Sequence, residues 1–422
     1  MSRPGSIEAG GVSLSADEFD AQVTARAVWA ARAAAPAGLA DRVVPIRAAD
    51  PLNALIDAFA VRVSGGIPVI GDDRWEVRQW GDLQRACDDL VAPSGLAWAT
   101  LTSGSTRQPR LILRSDASWS ASYATIADLL DLTPESIVFV PMHLVSSMAV
   151  FSVAMARATG HGVRFPRLRQ LGAGDLDGVT HVHATPSLFG RILDLIEGGA
   201  RHDLRVALIG GAVLDASMRR RASSAGIRVV TYYGAAELSF VAFDADGTGL
   251  KVFPGVETRV ALGRLWVRSE YLAACYAGNT DGPLVIDAEG WATVGDLASL
   301  DEDGRLRLRG REDGAILSAG ATVIPEEVEA VLRGVPGVRD AVVFGSAVHG
   351  NDSLVTAVVE LETGAQLTEA TAREHVRSAL MLPHRPRLWY RMESIPLTAS
   401  GKPARSRVRD AVTNGEVQRL GK

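Results

Sequence analysis

Cysteine is nearly absent from this chain, which contains Cys87, Cys275 and no other thiol in 422 residues. Two thiols cannot supply a disulfide framework or a structural zinc site. Free cysteine usually packs as a small buried apolar residue, and we expect that role for both. The fold must therefore depend on an apolar core, and a content of 47% hydrophobic residues is enough to build one.

The chain also lacks a positive charge excess and a long apolar run. Its 44 Lys and Arg residues face 49 Asp and Glu residues, so the net charge is -5. This balance gives no electrostatic footprint for nucleic acid, and we predict no nucleic-acid partner. No apolar run reaches the ~18 residues of a membrane span, and no apolar h-region follows the N-terminal MSRPGSIEAGG. We therefore expect a cytoplasmic protein with no membrane partner.

Segments with strand and helix character alternate in the first part of the chain. HVHATP (181–186) and RVALIGG (205–211) have the composition of buried strands, whereas LNALIDAFAVRV (52–63) and SLFGRILDLIEGG (187–199) have helical apolar spacing. Short glycine turns separate them. The alternation predicts an α/β fold with buried, mainly parallel strands. Residues 1–50 are expected to begin loosely and then form one or two surface helices.

The pattern changes after about residue 250. Short alternating β segments follow one another with Asp-Gly turns such as Asp303-Gly304. A new unit with the helix PEEVEAVLRG (325–334) then begins, and its length suits a small domain. We predict a large, multi-layered but shortened α/β domain over 1–311 and a small α+β domain over 312–422.

Two unusual segments indicate a phosphate-bearing substrate. TSGSTRQPR, from Thr102 to Arg110, follows an apolar segment and is rich in small hydroxyl residues that let backbone N–H groups approach phosphates. It is not a Walker loop, because the G-K-[ST] ending is absent. PLTASGKPAR places Lys402 in a Gly-Lys turn, where an ammonium on a flexible stem can approach an anion. Taken alone, a segment of this composition is more often an ordinary turn.

Two acidic residues and one arginine stand in turns that suit a nucleotide. In YYGAAE, Gly234 permits a tight turn after a strand, and Glu237 is a hard oxygen ligand suited to Mg²⁺. In WATVGD, Asp296 can accept hydrogen bonds from a ribose diol, and Arg311 in GRED is a second candidate contact. Individually, each could be a solvated surface residue or an ordinary turn residue.

The order of these motifs is more informative than any one of them. TSGSTRQPR, PMH, YYGAAE, GRLWVRSEYLAACY, WATVGD, GREDGAILSAGATVIPEEVE and PLTASGKPAR follow one another between residues 52 and 408. In this order they resemble the acyl-adenylate-forming superfamily of acyl-CoA synthetases, luciferases and peptide-synthetase adenylation domains. The short N-terminal region and VPMHLVSSMAV are most similar to o-succinylbenzoate–CoA ligase and other compact acyl- and aryl-CoA ligases.

This resemblance implies a two-step reaction and a mobile small domain. ATP, with Mg²⁺, and a carboxylic acid give an acyl-AMP and pyrophosphate; the thiol of CoA or of an acyl-carrier protein's phosphopantetheine then displaces AMP. Two alternatives stay open: an adenylating enzyme with an amine or other non-thiol acceptor, and a degenerate nucleotide-binding protein. A homodimer also stays open.

The resemblance assigns roles by motif match. Lys402 would bridge carboxylate and α-phosphate, Glu237 would coordinate Mg²⁺, Asp313 would lie at the hinge, and His143 would gate the acyl pocket or orient the carboxylate, unless it is a packed structural histidine. The nucleotide would be held by Thr102, Ser103, Gly104, Ser105, Thr106, Arg110, Gly210, Gly211, Ala212, Tyr233, Gly234, Ala236, Asp296 and Arg311.

Several positions depart from the superfamily pattern. Arg107 and Arg110 stand where glycine and lysine are usual, Ala236 replaces a threonine, and Leu317 replaces a lysine, which puts ATP affinity in doubt. The segment from Met142 to Ser147 contains no acidic residue, which argues against an α-amino acid substrate and favours an apolar or aromatic acid.

Overall fold

The computed structural model describes residues 5–33, 38–47, 49–88, 90–101, 110–167, 171–277, 282–311, 314–318, 321–347, 353–398 and 401–421. Elements are numbered in chain order. None of the helices in these ranges is long and apolar enough to cross a membrane.

A nine-stranded sheet forms the centre of the large domain. Its strands, in spatial order, are β13 (Lys251–Val252), β12 (Ser239–Asp244), β11 (Arg228–Ala235), β10 (Val206–Gly210), β9 (His181–Ala184), β7 (Ile137–Phe139), β8 (Gly162–Arg164), β1 (Ile7–Ala9) and β2 (Val12–Leu14). The strands from β11 to β1 are parallel, and β12, β13 and β2 are antiparallel to their neighbours. The predicted α/β class and mainly parallel strands are confirmed.

Helices cover both faces of this sheet because its side chains alternate between two apolar clusters. Val206 and Leu208 of β10 point into one cluster, whereas Ala207 and Ile209 point into the other. The first cluster includes α2 (Pro51–Val63), α5 (Tyr123–Leu130) and α6 (Ser147–Thr159). The second includes α7 (Pro186–Glu197) and α8 (Ala216–Ser224). The sheet is buried on both sides, as parallel sheets usually are.

The expectation of a loose N-terminal start is wrong for the described residues. Ile7 and Ala9 are buried in β1, which pairs in parallel with β8 and turns through Gly10 and Gly11, both at positive φ, into β2. One helix follows, α1 (Ala16–Ala33), and its Phe19 packs edge-to-face on Phe59. Strands this short have little sequence signal, since pairing with the existing sheet is what stabilises them.

Smaller sheets complete the large domain. One contains β17 (Val285–Ile286), β18 (Ala292–Thr293), β15 (Arg264–Ser269), β19 (Asp296–Leu300) and β20 (Leu306–Arg311), with β14 (Val256–Ala261) on β15. A second contains β16 (Cys275–Tyr276), β6 (Leu111–Ser115) and β5 (Leu96–Leu101). A parallel pair, β3 (Val43–Arg47) and β4 (Ile67–Gly71), packs against α3 (Val77–Cys87), whereas α4 (Ala117–Ser120) packs against β6 and α6.

The C-terminal part has its own sheet and its own apolar core around Trp389. Its strands are β23 (Val338–Ala347), β24 (Ser353–Leu361), β25 (Leu388–Met392) and β26 (Gln418–Arg419), and its helices are α9 (Pro325–Arg333), α10 (Glu369–Ala379) and α11 (Arg405–Thr413). The hairpin of β21 (Ile316–Ser318) and β22 (Ala321–Val323) precedes them. The chain therefore has a large α/β domain followed by a small domain.

Candidate active site

The carboxyl ends of β9, β10 and β11 meet at one edge of the large sheet, where open α/β sheets bind ligands. Gly211 follows β10 there with φ +88°. A Cβ atom at this position would lie 2.8 Å from Cε of Lys402 and 3.6 Å from its Nζ. Glycine is therefore required twice, for the backbone angle and for the approach of the lysine. The structure brings together Gly211 and Lys402, which lie far apart in the sequence.

The turn that carries Lys402 is fixed to the large domain by a hydrogen bond. Oγ1 of Thr185, directly after β9, donates to the carbonyl of Gly401 at 2.8 Å. Gly401 has φ +75°, and a Cβ there would come 2.5 Å from Cδ1 of Leu188 on α7. Within the turn, the Lys402 N–H donates to Oγ1 of Thr398 at 3.1 Å. Lys402 is therefore presented to the sheet edge by a closely seated glycine turn. Sequence reasoning missed Thr185.

A series of buried, hydrogen-bonded polar side chains lies next to Gly210. A Cβ atom there would overlap the Tyr232 ring, and the Tyr232 hydroxyl lies 2.9 Å from Nε2 of His183. Ser152 donates its proton to the Met148 carbonyl, so Nδ1 of His183 donates to Oγ of Ser152 at 2.8 Å. Nε2 then accepts from the Tyr232 hydroxyl. Burial lowers the pKa of His183 to about 3, so this imidazole is neutral at physiological pH.

Three residues predicted to bind the nucleotide are neighbours across two sheets. The Tyr233 hydroxyl donates to Oδ2 of Asp296, so the end of β11 contacts the start of β19. Asp296 stands opposite Arg311 in the register of β19 and β20. Gly210, Gly211 and Ala212 lie beside Tyr233 at the adjacent strand end, and Ala212 is exposed.

The turn after β11 holds Glu237. The register of β11 and β12 shifts between Tyr233 and Gly234, and a Cβ at Gly234 would overlap the Ser239 carbonyl, so glycine is required. Glu237 is buried, and its Oε1 accepts from the Tyr276 hydroxyl at 2.8 Å. Its other carboxylate oxygen accepts no hydrogen bond from the described residues. A carboxylate held on one side only fits the predicted role as a Mg²⁺ ligand.

Arg114, on β6, stands behind this turn and was not found from the sequence. It is 1% exposed, and Nη2 donates to the Ala236 carbonyl at 2.6 Å. Nη1 donates to Oγ of Ser118 at 3.1 Å and lies 3.5 Å from the Tyr271 carbonyl. Burial lowers the pKa of Arg114 to about 10, so the guanidinium remains charged at neutral pH. Ala236 therefore contributes its backbone carbonyl, and no side-chain hydroxyl, to this corner.

A cavity of about 480 Å³ opens beside these residues. Aromatic rings form much of its wall: Trp119 and Phe151 have centroids 5.7 Å apart, Phe151 and Phe240 5.3 Å, and Phe240 and Tyr232 4.5 Å. Other lining residues include Arg74, Arg114, Val145, Ser146, Met148, His183, Gly211, Ala236, Lys402 and Arg407. This volume is in the range of small-molecule sites. The cavity therefore joins the sheet edge with Lys402 to a chamber that has both aromatic and polar walls.

His143 lies beside this cavity but is not among its lining residues. The Val145 N–H donates to its Nδ1 at 3.4 Å, so Nε2 carries the proton and donates to Oδ1 of Asp73 at 2.7 Å. Oδ1 of Asp72 lies 3.8 Å from the same nitrogen, and Asp72 and Val145 both line the cavity. His143 is thus fixed next to the wall by an acidic partner that the sequence motif did not reveal.

Some predicted site residues lie outside the described residues. These are Thr102, Ser103, Gly104, Ser105, Thr106 and Arg107 of the hydroxyl-rich segment, and Asp313 at the predicted hinge. Arg110 is described and half-buried, and its charge acts on Tyr276, the hydroxyl partner of Glu237. The side chain of Arg311 is also outside the described set, although its backbone register is known.

A parallel sheet edge with a glycine pair, a tyrosine–aspartate pair, a buried glutamate and a lysine from a second domain defines an enzyme that activates its substrate with a nucleotide. Comparison with known families agrees. Residues 22–277 match the model of the AMP-binding enzyme family, and residues 327–402 match the AMP-binding enzyme C-terminal domain. The chain belongs to the AMP-binding enzyme family, as the motif order predicts.

Several curated relatives of this chain are named acid–CoA ligases. It is 31% identical to 2-succinylbenzoate–CoA ligase of Salmonella typhimurium, over 72% of this chain and 66% of the relative. It is 26% identical to a putative long chain fatty acid–CoA ligase, VraA, of Staphylococcus epidermidis, over 87% of each chain. Among solved structures, o-succinylbenzoate coenzyme A synthetase (MenE) of Bacillus subtilis in complex with ATP and magnesium ion has a TM-score of 0.80 at 17% identity, over 96% of each chain.

These findings define the reaction class. The protein is an AMP-forming acid–thiol ligase, which forms an acyl-adenylate from ATP and a carboxylic acid. The predicted fold class and enzyme class are confirmed.

Proposed function

We propose that this ligase activates an aryl or other apolar carboxylic acid and transfers the acyl group to coenzyme A. The observation that carries the proposal is the position of Lys402, against Gly211 at the sheet edge and on the wall of an aromatic cavity. A carboxylate that enters from this chamber meets that ammonium. The aromatic rings on one wall lower the local dielectric, so the charge of the lysine is screened less than in bulk water.

In the first half-reaction, a carboxylate oxygen attacks the α-phosphorus of ATP, and pyrophosphate leaves with the electron pair of the broken P–O bond. Negative charge gathers on the phosphorus oxygens in the transition state. Lys402 is assigned to stabilise that charge and to hold the carboxylate in line. The loop Thr102–Thr106, with Arg110, is assigned to the β- and γ-phosphates.

The remaining nucleotide contacts are assigned by position. Gly210, Gly211, Ala212, Tyr233, Gly234 and Ala236 would enclose the adenine, while Asp296 and Arg311 would bind the ribose. Glu237 would hold Mg²⁺, and the metal would supply positive charge to the phosphates. Tyr276 orients Glu237 by its hydrogen bond, so it acts as a positioning residue.

In the second half-reaction, a thiolate attacks the acyl carbonyl and AMP leaves. We assign the thiol to CoA because the names of several relatives include CoA. An acyl-carrier protein presents the same phosphopantetheine thiol and is the second acceptor to test.

Residues 312–422 would rotate about Asp313 to remove Lys402 from the adenylate, as the superfamily resemblance implies. A homodimer is tested separately by light scattering.

The acid is assigned to the apolar class from its chamber. Trp119, Phe151 and Phe240 offer flat, polarisable walls, which suit a ring. His143, held by Asp73 beside the wall residues Asp72 and Val145, is assigned to gate this chamber.

A screen of pyrophosphate release tests the proposal. Aryl and fatty acids are supplied with Mg²⁺ATP, first with hydroxylamine as a trap and then with CoA, phosphopantetheine or a simple amine. We expect an aryl acid to give acyl-hydroxamate without CoA and thioester with it. If the acyl group is transferred only to the amine and no thioester forms, the acceptor is an amine and not CoA. Nucleotide binding without pyrophosphate release for any acid would favour a degenerate nucleotide-binding protein.

A further inference from the structure

A second, smaller cavity lies behind the cavity that Lys402 lines. Its volume is about 20 Å³, which is about the room that one water molecule needs. Apolar side chains such as Met155 and Leu208 form most of its wall. We call it the rear cavity and the larger one the acid chamber. Among the described residues, Phe151 and His183 are the two that line both. These two side chains therefore separate the cavities.

The strands place the rear cavity farther from the sheet edge. Gly211, after β10, lines the acid chamber, whereas Leu208 of the same strand lines the rear cavity. A strand rises about 3.3 Å per residue, so these positions are ~10 Å apart. On β9, His183 lines both cavities and His181, two residues inward, lines the rear one. An acid with its carboxylate at Lys402 therefore extends inward toward His183.

Helix α6 gives the same direction. Met148 lines the acid chamber, Phe151 lines both cavities, and Met155 lines the rear one. Spacings of three and four residues put these side chains on one face of the helix. At about 1.5 Å per residue, Met148 and Met155 are ~10 Å apart along its axis. The two cavities are thus consecutive parts of one groove between α6 and the sheet, interrupted at Phe151.

His183 crosses this groove as a hydrogen-bonded bridge. Nδ1 donates to Oγ of Ser152 on α6 at 2.8 Å, and Nε2 accepts from the Tyr232 hydroxyl on β11 at 2.9 Å. His183 is 3% exposed. A neutral imidazole held at both nitrogens is a fixed wall, since neither nitrogen is open to a reactant.

We propose that Phe151 and His183 form a partition that limits the length of the acid, and that the rear cavity is a latent extension of the acid chamber. The inference rests on the proposed function and defines the size limit of its acid site. His183 is the specificity-determining residue, since its side chain fills the groove and two hydrogen bonds hold it there. A compact acid ends at the imidazole, whereas a longer chain would have to displace it.

The experiment measures kcat/KM for adenylation, as pyrophosphate release with a hydroxylamine trap, for two homologous series. One runs from benzoate to 4-butylbenzoate, and the other contains the straight-chain acids from butanoate to dodecanoate. In the wild type we expect kcat/KM to fall by about tenfold for each methylene beyond the longest acid that fits. Adenylation of dodecanoate as efficient as that of the best short acid would overturn the inference.

His183→Ala removes the imidazole and joins the two cavities. It should raise kcat/KM for the first excluded acid, relative to the longest accepted one, by about tenfold or more. This ratio is the readout because a general loss of structure lowers both values alike. His183→Phe fills the same part of the groove without hydrogen bonds and should keep the wild-type ratio. An equal rise in both variants would overturn the inference, because lost hydrogen bonds would then explain it.

The matched control is Met155→Ala, which enlarges the rear cavity behind the closed partition. Alone, it should leave the length limit unchanged. Combined with His183→Ala, it should extend the limit beyond that of His183→Ala, since neighbouring sites on one cavity are coupled. A longer limit in Met155→Ala alone would contradict a closed partition.

Failure of the inference is distinct from failure of the proposed function. Adenylation of short acids with an unchanged length limit in His183→Ala removes the inference and keeps the function. Absence of adenylation with every acid in the wild type removes both. If His183→Ala does not fold, as judged by its thermal unfolding, Phe151→Val opens the partition from the helix side and the same ratio decides.

Discussion

At the scale of single residues, the position of Lys402 depends on the missing side chain of Gly211. We predict that Gly211→Ala lowers the rate of acyl-AMP formation by about tenfold or more, since the new Cβ would lie 2.8 Å from Cε of the lysine. The φ of +88° adds about 1–2 kcal/mol of backbone strain. Pyrophosphate release measures the effect.

The control for this variant separates strain from contact. Gly226 has φ +74°, and a Cβ atom there would meet nothing within 4 Å. Gly226→Ala should lower the unfolding temperature in a similar way and leave adenylation unchanged. Equal loss of activity in the two variants would show that strain alone, without the lysine contact, explains the result.

The second residue-scale prediction concerns the metal. Glu237→Gln should raise the Mg²⁺ concentration for half-maximal adenylation by about tenfold or more, because a neutral amide is a weaker ligand than a carboxylate. Tyr276→Phe removes the hydrogen bond to Oε1, together with the acceptor of the Leu284 N–H, but keeps the carboxylate, so it should shift the same titration less. Mg²⁺ titrations at saturating acid give both values. An unshifted curve in Glu237→Gln would remove the metal assignment.

At the scale of elements, buried histidines make stability depend on pH. Burial lowers the pKa of His183 on β9 to about 3 and that of His161, before β8, to about 4, from an ordinary value of 6.5. The unfolded chain therefore binds more protons than the native state below pH 6.5. The free energy of unfolding is highest above that pH and falls as pH drops toward 4, by about 1.4 kcal/mol per pH unit for each histidine.

Chemical denaturation between pH 7.5 and 5 measures this slope. His161→Gln should flatten it by about the contribution of one histidine, whatever the variant does to stability at pH 7.5. His375→Gln is the control, since His375 is exposed on α10. A slope that His161→Gln leaves unchanged would contradict the assignment of a neutral buried imidazole.

Elements with long apolar runs could be predicted from the sequence, and short ones could not. Segments such as 187–199 and 205–211 carry their own signal, and α7 and β10 lie within one or two residues of them. HVHATP has the composition of a strand as far as residue 186, but β9 ends at Ala184 and α7 begins at Pro186. β1 and β2 have three residues each, and their stability comes from pairing with β8, which no local pattern encodes.

The residues of the candidate site also fall into two groups: those that the sequence indicates and those that only the fold reveals. Lys402, Glu237 and Asp296 stand in motifs, so their residue types and order indicated their chemistry. Arg114 looks like a polar residue within an apolar strand, and its partner Ala236 is 122 positions away. Its role depends on which backbone carbonyl the fold places beside it. Tyr276 and Thr185 were missed for the same reason: tertiary contacts define them.

At the scale of the whole molecule, polar contacts between described residues link the small domain to the large one. Oγ1 of Thr185 donates to the Gly401 carbonyl, and Nη1 of Arg339 donates to Oδ2 of Asp194 at 2.8 Å. Each such contact contributes little on its own, about 1 kcal/mol or less. A weakly held domain can rotate between half-reactions, which is what the proposed cycle requires.

We predict that Thr185→Val lowers the rate of adenylation by about 3–10-fold and leaves thioester formation from synthetic acyl-AMP nearly unchanged. The lost hydrogen bond serves only the arrangement in which Lys402 reaches the sheet edge. Lys402→Ala should show the same asymmetry with a loss of about 10²-fold or more. Rapid-quench assays of each half-reaction supply the rates. Equal losses in both half-reactions would contradict this division of roles.

The buried guanidinium of Arg114 has a thermodynamic consequence for the complete enzyme. One of its nitrogens donates to the Ala236 carbonyl, next to Glu237, and Arg114 is also one of the residues that line the cavity. If the acid occupies this cavity and Mg²⁺ATP binds at Glu237, as proposed, the two ligands would share a rigid charged group, and the binding of one would change the free energy of binding the other. Reciprocity requires the two effects to be equal: the factor by which a good acid tightens Mg²⁺ATP is the factor by which Mg²⁺ATP tightens that acid. A poorly fitting acid would thus be rejected partly through its failure to retain the nucleotide.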